Sequence, residues 1–305
     1  MSVFYCPLER FNIKQEFNSR NDELEITNNM KIISQDQVPD LKLLSKHIVD
    51  KDINKYKLTP YWLSITGNFT HFELEEKIII FQLALWILSP TKTVIPFMTD
   101  FEETHISLHQ RFKFNPNYIN YIFDLKEIIY IKKYYSKLFN ISYNYQKVNL
   151  AMLFTFDSCL LQNWDAIYVL MVTAFESILY HKAHINKILQ NKFKWGITKR
   201  LSWAFAILSE NNDSKRQIAF REFKYIYNIR SDLVHGKMIK DKYNNGDINL
   251  EESAKCRDML RKLWQVILDS KEIIEKLSGS DSVRRDYFKE VANGWMPEEE
   301  NEKKK

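Results

Sequence analysis

Punctuation is scarce in this chain: 305 residues hold six glycines and seven prolines, against 20 phenylalanines and 16 tyrosines. Glycine and proline set turns most readily, and an all-β fold of this length would need many of them. A chain so poor in them and so rich in large side chains favours long packed helices. With 45% apolar and 27% charged residues it can bury a core, and its length allows one large core or two ordinary ones.

The pattern along the chain favours two. Leu24-Glu-Ile-Thr-Asn-Asn-Met-Lys-Ile-Ile33 reads as two short strands around Asn28-Asn29, a small hairpin. Asp40–Val49 reads as a short helix, Tyr61–Ile65 as a strand, and Phe72–Leu88 as a helix closed by Ser89-Pro90. Val94–Met98 and Ile106–Phe114 alternate as strands do. Ile119–Leu138 reads as an amphipathic helix with Ile122, Leu125, Ile129 and Tyr130 on one face. Beyond the polar, tyrosine-rich stretch Asn140–Lys147, strand signals stop. Helices are expected over Asn149–Leu161, from an Asn163 cap to about His181, and over Ile185–Gln190, Thr198–Leu208, Ser214–Arg230 and Glu251–Leu277. The fold expected is α+β overall: a small mixed α/β domain over 1–148, an all-α helical bundle over 149–278, and a charged tail over 279–305.

A net charge of +5 does not repel nucleic acid and is too small to imply it. Three cysteines, Cys6, Cys159 and Cys256, are an odd number without paired spacing, so a reducing compartment is expected, with Cys159 and Cys256, which fall in helical patterns, as core thiols. The N-terminus lacks a basic lead into an apolar run. The most apolar stretches, Ile78–Leu88 and Ala166–Tyr180, are too short to cross a bilayer, and a cytoplasmic protein without membrane contact is expected. His105 and His109 share a spacing that zinc ligands use, but no glutamate follows in the hydrolase pattern, and no metal or cofactor is called for.

The segment that most invites a chemical reading is Tyr227-Asn-Ile-Arg-Ser-Asp-Leu-Val-His-Gly236. Ile226, Ile229 and Leu233 have core spacing, which leaves Arg230, Asp232 and His235 for a surface or cleft. Gly236 suits a helix end, placing His235 in the last turn, where exposed carbonyls favour imidazolium. A histidine there can exchange protons, and an arginine can hold an anion by charge-assisted hydrogen bonds. Phosphodiester cleavage needs both groups, and in RNA the nucleophile can be the substrate's own 2′-hydroxyl. A second acid must protonate the leaving oxygen, which a two-fold dimer would supply. An arginine near a helix end and a capping histidine are also ordinary structural residues. Glu176, inside the apolar run Val169–Leu179, is costly to bury alone; it either pairs with Arg230 or emerges on a solvent face. Lys199 and Arg200 belong to a basic stretch interleaved with Phe193 and Trp195, which suits single-stranded RNA or a solvated face over core aromatics. Lys237 and Lys240 would add positive potential beyond His235.

The string Ile229-Arg-Ser-Asp-Leu-Val-His-Gly236 resembles the signature of the HEPN superfamily, whose mark is Arg, four to six residues, then His. It is especially similar to the Apea-like HEPN group. Phe175-Glu-Ser-Ile-Leu179 resembles that group's first core helix, with Glu176 at its acidic position. Ile197-Thr-Lys-Arg-Leu-Ser-Trp-Ala204 resembles the helix in which a basic residue precedes small apolar ones, and Glu252–Ile274 resembles the final helix. The resemblance covers about 150–278. It implies a dimerising helical bundle, often a metal-independent endoribonuclease of toxin, phage-defence or RNA-processing systems, with an antitoxin or defence-system protein as a further partner. Arg230 and His235 would be catalytic, Glu176, Ser231 and Asp232 supporting, and Lys199, Arg200, Lys237 and Lys240 RNA-binding. Active nucleases of this kind often carry Asn, Asp or His after the arginine, where this chain has Ser231. That departure leaves a non-catalytic RNA-binding, regulatory or scaffold protein as the alternative.

Overall fold

A computed structural model of the chain describes residues 2–13, 23–40, 43, 56, 58–89, 93, 95–101, 105–107, 122–161, 163–180, 195–235 and 250–298. The chain divides into two compact units, Met1–Asn140 with Cys159–Leu161, and Ile141–Ser158 with Gln162–Lys305. The fold is α+β, with the sheet confined to the first unit.

That unit begins with β1 (Ser2–Pro7), β2 (Asn12–Ile13), β3 (Leu24–Thr27), β4 (Met30–Ser34) and β5 (Tyr61–Gly67). After α1 (His71–Leu88) come β6 (Phe97–Thr99), β7 (His105–Ser107) and β8 (Ile122–Phe123). Six strands form one antiparallel sheet in the order β3-β4-β5-β1-β6-β7. The hairpin expected at Asn28-Asn29 is β3–β4, and the strand expected at Tyr61 is β5. Alternation along β5 buries Leu63 and Ile65, while Trp62 packs with Ile33, Tyr56, Phe97 and Phe101. Proline at position 96 cannot donate to a ladder, and β6 begins after it. β2 and β8 form a separate parallel pair, over which Phe11 and Phe123 stack at 5.0 Å. Thr70 and Glu73 start α1 with reciprocal hydrogen bonds between side chain and main chain.

The helix expected from Ile119 begins later, as α2 (Leu125–Asn144), because Ile122-Phe123 pair with β2, while Asp124 Oδ1 accepts from Lys126 N–H and the Glu127 carboxylate accepts from Asp124 N–H at the helix start. The face read from Ile122 was therefore out of phase. Ile128, Ile131, Tyr134, Tyr135 and Leu138 are buried, whereas Ile129 and Tyr130 are exposed. The stretch Asn140–Lys147 is helical, α2 running through most of it and α3 (Gln146–Leu160) following after Tyr145, and the division between the two units falls within it, between Asn140 and Ile141. The helix expected over 40–49, apart from Asp40 and Leu43, and that over 185–190 lie outside the described residues.

The second unit continues with α4 (Trp164–Leu179), α5 (Ile197–Ser209), α6 (Asp213–Val234), α7 (Leu250–Asp269), α8 (Lys271–Ser278) and α9 (Asp281–Ala292). Asn163 caps α4 through Ala166 N–H, as expected, and Asn212 caps α6 through the N–H groups of Ser214 and Lys215. Phe175, Phe205 and Phe223 bring α4, α5 and α6 together, with ring centroids 4.9–5.6 Å apart. The buried Tyr168 hydroxyl donates to the carbonyl of Ile226 at 3.1 Å, and Trp264 Nε1 donates to Thr155 Oγ1 at 2.9 Å. Along α6, Phe220, Phe223, Ile226 and Ile229 face the core, but Ile218 and Tyr225 do not.

Two expectations for this unit are corrected. Glu251–Leu277 is not one helix: Ser270 adopts an extended backbone (φ −130°, ψ 129°), and α8 restarts with Ile274 and Leu277 buried. The span 279–305 is not wholly a charged tail. Tyr287, Phe288 and Ala292 recur at helical spacing, α9 buries them, and Asn293 ends it in the left-handed conformation (φ 46°).

Two buried arginines tie helix ends together. Arg284 Nε donates to the carbonyl of Leu277, its Nη1 to that of Tyr180 at 2.8 Å, and its Nη2 to that of Ser177 at 3.5 Å. Arg216 donates to the carbonyls of Glu210 (2.9 Å), Val291 (3.0 Å) and Ala292 (3.2 Å). Each guanidinium thus meets the C-terminal ends of two helices, where unpaired carbonyls and the macrodipole favour a cation.

Candidate functional site

Arg230 lies in the last two turns of α6, and Glu176 in the last turn of α4. Arg230 Nη2 is 3.2 Å from Glu176 Oε2, with both side chains about one-fifth exposed (22% and 20%). Of the two positions open to Glu176, pairing is the one it takes. The same carboxylate accepts a hydrogen bond from the Tyr227 hydroxyl to Oε1 at 2.6 Å. Tyr227 is one turn before Arg230 on α6, and the guanidinium stands 5.7 Å from its ring centroid. Burial pushes the Tyr227 phenol well above its ordinary value, and its hydrogen bond to the Glu176 carboxylate adds to the shift. The shielded Arg230 Nε–H has no hydrogen-bond partner among the described residues. The packing that aligns these groups is the Phe175–Phe223 contact and the Tyr168–Ile226 hydrogen bond between the same two helices.

His235 is the C-cap of α6 (φ −88°, ψ 7°); its N–H donates to the carbonyl of Ser231 at 3.1 Å, and its side chain is exposed. Five residues from Arg230 correspond to roughly 140° of rotation and 7.5 Å of rise on a helix. His235 N–H still closes the i→i−4 bond to Ser231, so its side chain leaves α6 at about that angle from Arg230. Ser231 and Asp232 are half-buried in the last turn. Lys237, Lys240 and Gly236 lie outside the described residues, as does His109.

Lys199 and Arg200 occupy the first turn of α5. Lys199 Nζ is 4.5 Å from the Trp195 ring centroid, and Arg200 is 5.8 Å from that of Tyr180. Tyr180 follows α4 directly, one turn beyond Glu176, so Arg200 is linked through Tyr180 and Glu176 to Arg230. Lys199 belongs to the neighbouring Trp195 contact. Tyr227 and Tyr180 were not anticipated as part of the site. The spacing Tyr227-x-x-Arg230 was a usable signal for the former, because positions three apart share a helix face.

Arg230 and His235 line neither of two concavities on this unit. One, of about 440 Å³, is bordered by Glu210, Arg216, Lys262 and Tyr287. The other, of about 260 Å³, lies between α6 and α7 and carries Glu222, Glu252 and Asp258 around Lys255. The Arg230 group is an arrangement at the ends of α4 and α6. Among the described residues, no group of three or more His, Cys, Asp or Glu could hold a metal ion, and no helix is long and apolar enough to cross a membrane.

No protein-family model matches the chain, and no curated protein or solved structure matches it.

Proposed function

We propose that the helical unit is a metal-independent endoribonuclease acting as a homodimer. What carries this reading is Arg230, held by Glu176 and Tyr227 beside a helix end that exposes His235. The guanidinium binds a phosphoryl oxygen of the scissile linkage and stabilises the charge that grows there. An imidazole of His235 takes the proton of the 2′-hydroxyl as its oxygen attacks phosphorus. The bond to the 5′-oxygen breaks, and His235 of a second copy protonates that oxygen. The products are a 2′,3′-cyclic phosphate and a 5′-hydroxyl, with no external electron donor or metal in the balance. The resemblance of Ile229–Gly236 to the HEPN signature supports the same chemistry.

A second reading is a non-catalytic RNA-binding or scaffold protein using the same surface. It is favoured by Ser231 and by the Glu176 carboxylate, which already neutralises part of the Arg230 charge. Wild type and His235→Ala incubated with total RNA and a labelled oligoribonucleotide in EDTA separate the two. Cleavage by wild type alone, leaving cyclic phosphate ends, is the expected result; intact RNA in both samples overturns the nuclease reading.

A further inference from the structure

Tyr180 is an exposed aromatic on a fixed mount. Its N–H donates to the carbonyl of Glu176 at 2.8 Å, and its own carbonyl accepts from the buried Arg284 at 2.8 Å. Both main-chain groups are therefore occupied, while 37% of the residue is open to solvent. The Arg200 guanidinium lies 5.8 Å from the ring centroid, and the shielded Arg200 Nε–H has no hydrogen-bond partner among the described residues. Tyr180 stands one helical turn, about 5.4 Å, beyond the residue that holds Arg230.

Lys199 and Arg200 are two cations in the first turn of α5, against the rings of Trp195 and Tyr180 respectively, so a polyanion reaching Tyr180 meets positive charge. An aromatic face next to a guanidinium is what an unpaired base stacks on, and every base has such a face to offer. A rigid mount removes part of the ordering cost of that contact.

We propose that Tyr180, backed by Arg200, is a base-stacking subsite for single-stranded RNA, receiving the nucleotide beside the phosphate bound at Arg230. The inference rests on the RNA reading above and deepens it by naming the residue that meets a base.

The test uses the full chain and a 2′-O-methyl oligoribonucleotide, which lacks the nucleophile and cannot be cut by the proposed reaction. Its affinity is compared by fluorescence anisotropy with that of an abasic chain of equal length, for wild type, Tyr180→Ala, Tyr180→Phe and Arg230→Ala. Circular dichroism reports whether each variant is folded. Stacking predicts a loss of about tenfold for Tyr180→Ala on the base-bearing chain, none on the abasic chain, and near wild-type binding by Tyr180→Phe. Arg230→Ala weakens both chains. Equal binding by Tyr180→Ala and wild type, or an equal loss on both chains, overturns the subsite while the Arg230 dependence preserves the RNA reading. Absence of binding by wild type to either chain overturns both.

Discussion

Arg230 of α6 and Glu176 of α4 form an ion pair of 3.2 Å between residues 54 positions apart, and the Tyr227 hydroxyl occupies the other oxygen of the same carboxylate. The carboxylate therefore sits between a cation and a neutral donor that both come from α6. This fixes the direction of the guanidinium without burying it, and it makes Arg230 dependent on the packing of α4 against α6.

The first prediction is energetic coupling between these two side chains. Both are about one-fifth exposed, so solvent screening keeps the pair well below the value of a fully buried one. A double-mutant cycle of Glu176→Gln and Arg230→Gln, read by urea unfolding, should give a coupling of about 1 kcal/mol. A coupling indistinguishable from zero would show that the pair is not formed in solution.

Arg284 should matter far more to stability than its neighbour in sequence. Its guanidinium bonds to carbonyls at the ends of α4 and α8, and Arg284→Met would leave those acceptors unpaired and shielded from water. The expected cost is about 3 kcal/mol. Among the described residues Arg285 pairs with the exposed Asp286 alone, and Arg285→Ala should leave stability nearly unchanged. Similar denaturation midpoints for the two variants would contradict the helix-end role.

Alkaline pH should destabilise the fold through two phenols. Burial raises Tyr287 to about 12, and burial with the Glu176 hydrogen bond raises Tyr227 as well. Below pH 10, both phenols are protonated in folded and unfolded chains and add no pH dependence. Above it, the unfolded chain loses these protons while the folded chain retains them, so unfolding is increasingly favoured between pH 10 and 12. Thermal melts across this range should show a falling midpoint, with a shallower fall in Tyr227→Phe and in Tyr287→Phe. Slopes unchanged from wild type would remove these tyrosines as the cause.

Much of the secondary structure followed from local signals. Asn163 and the Asn28-Asn29 turn act through groups a few residues away, so their sequence alone announces them. The failures were at places where a distant partner decides. Ile122 looks helical until β2 pairs with it, and the apolar face of α2 cannot be phased before its true start is known. The single long helix expected at Glu251–Leu277 was lost at Ser270, because Ile274 and Leu277 are buried on a separate segment.

The candidate site divides in the same way. Sequence by itself determined that helices dominate after residue 148, that Arg230 and His235 share one helix end, and that Glu176, inside an apolar run, would either pair with Arg230 or emerge on a solvent face. Only the tertiary structure decided between those two in favour of Arg230, and showed that Tyr227 shares the carboxylate, that Arg284 pins Tyr180, and that Arg200 lies against it. Helix periodicity is a property of neighbouring residues and is written locally. The meeting of α4, α5 and α6 depends on how three aromatic rings pack, and that is settled only when the helices come together.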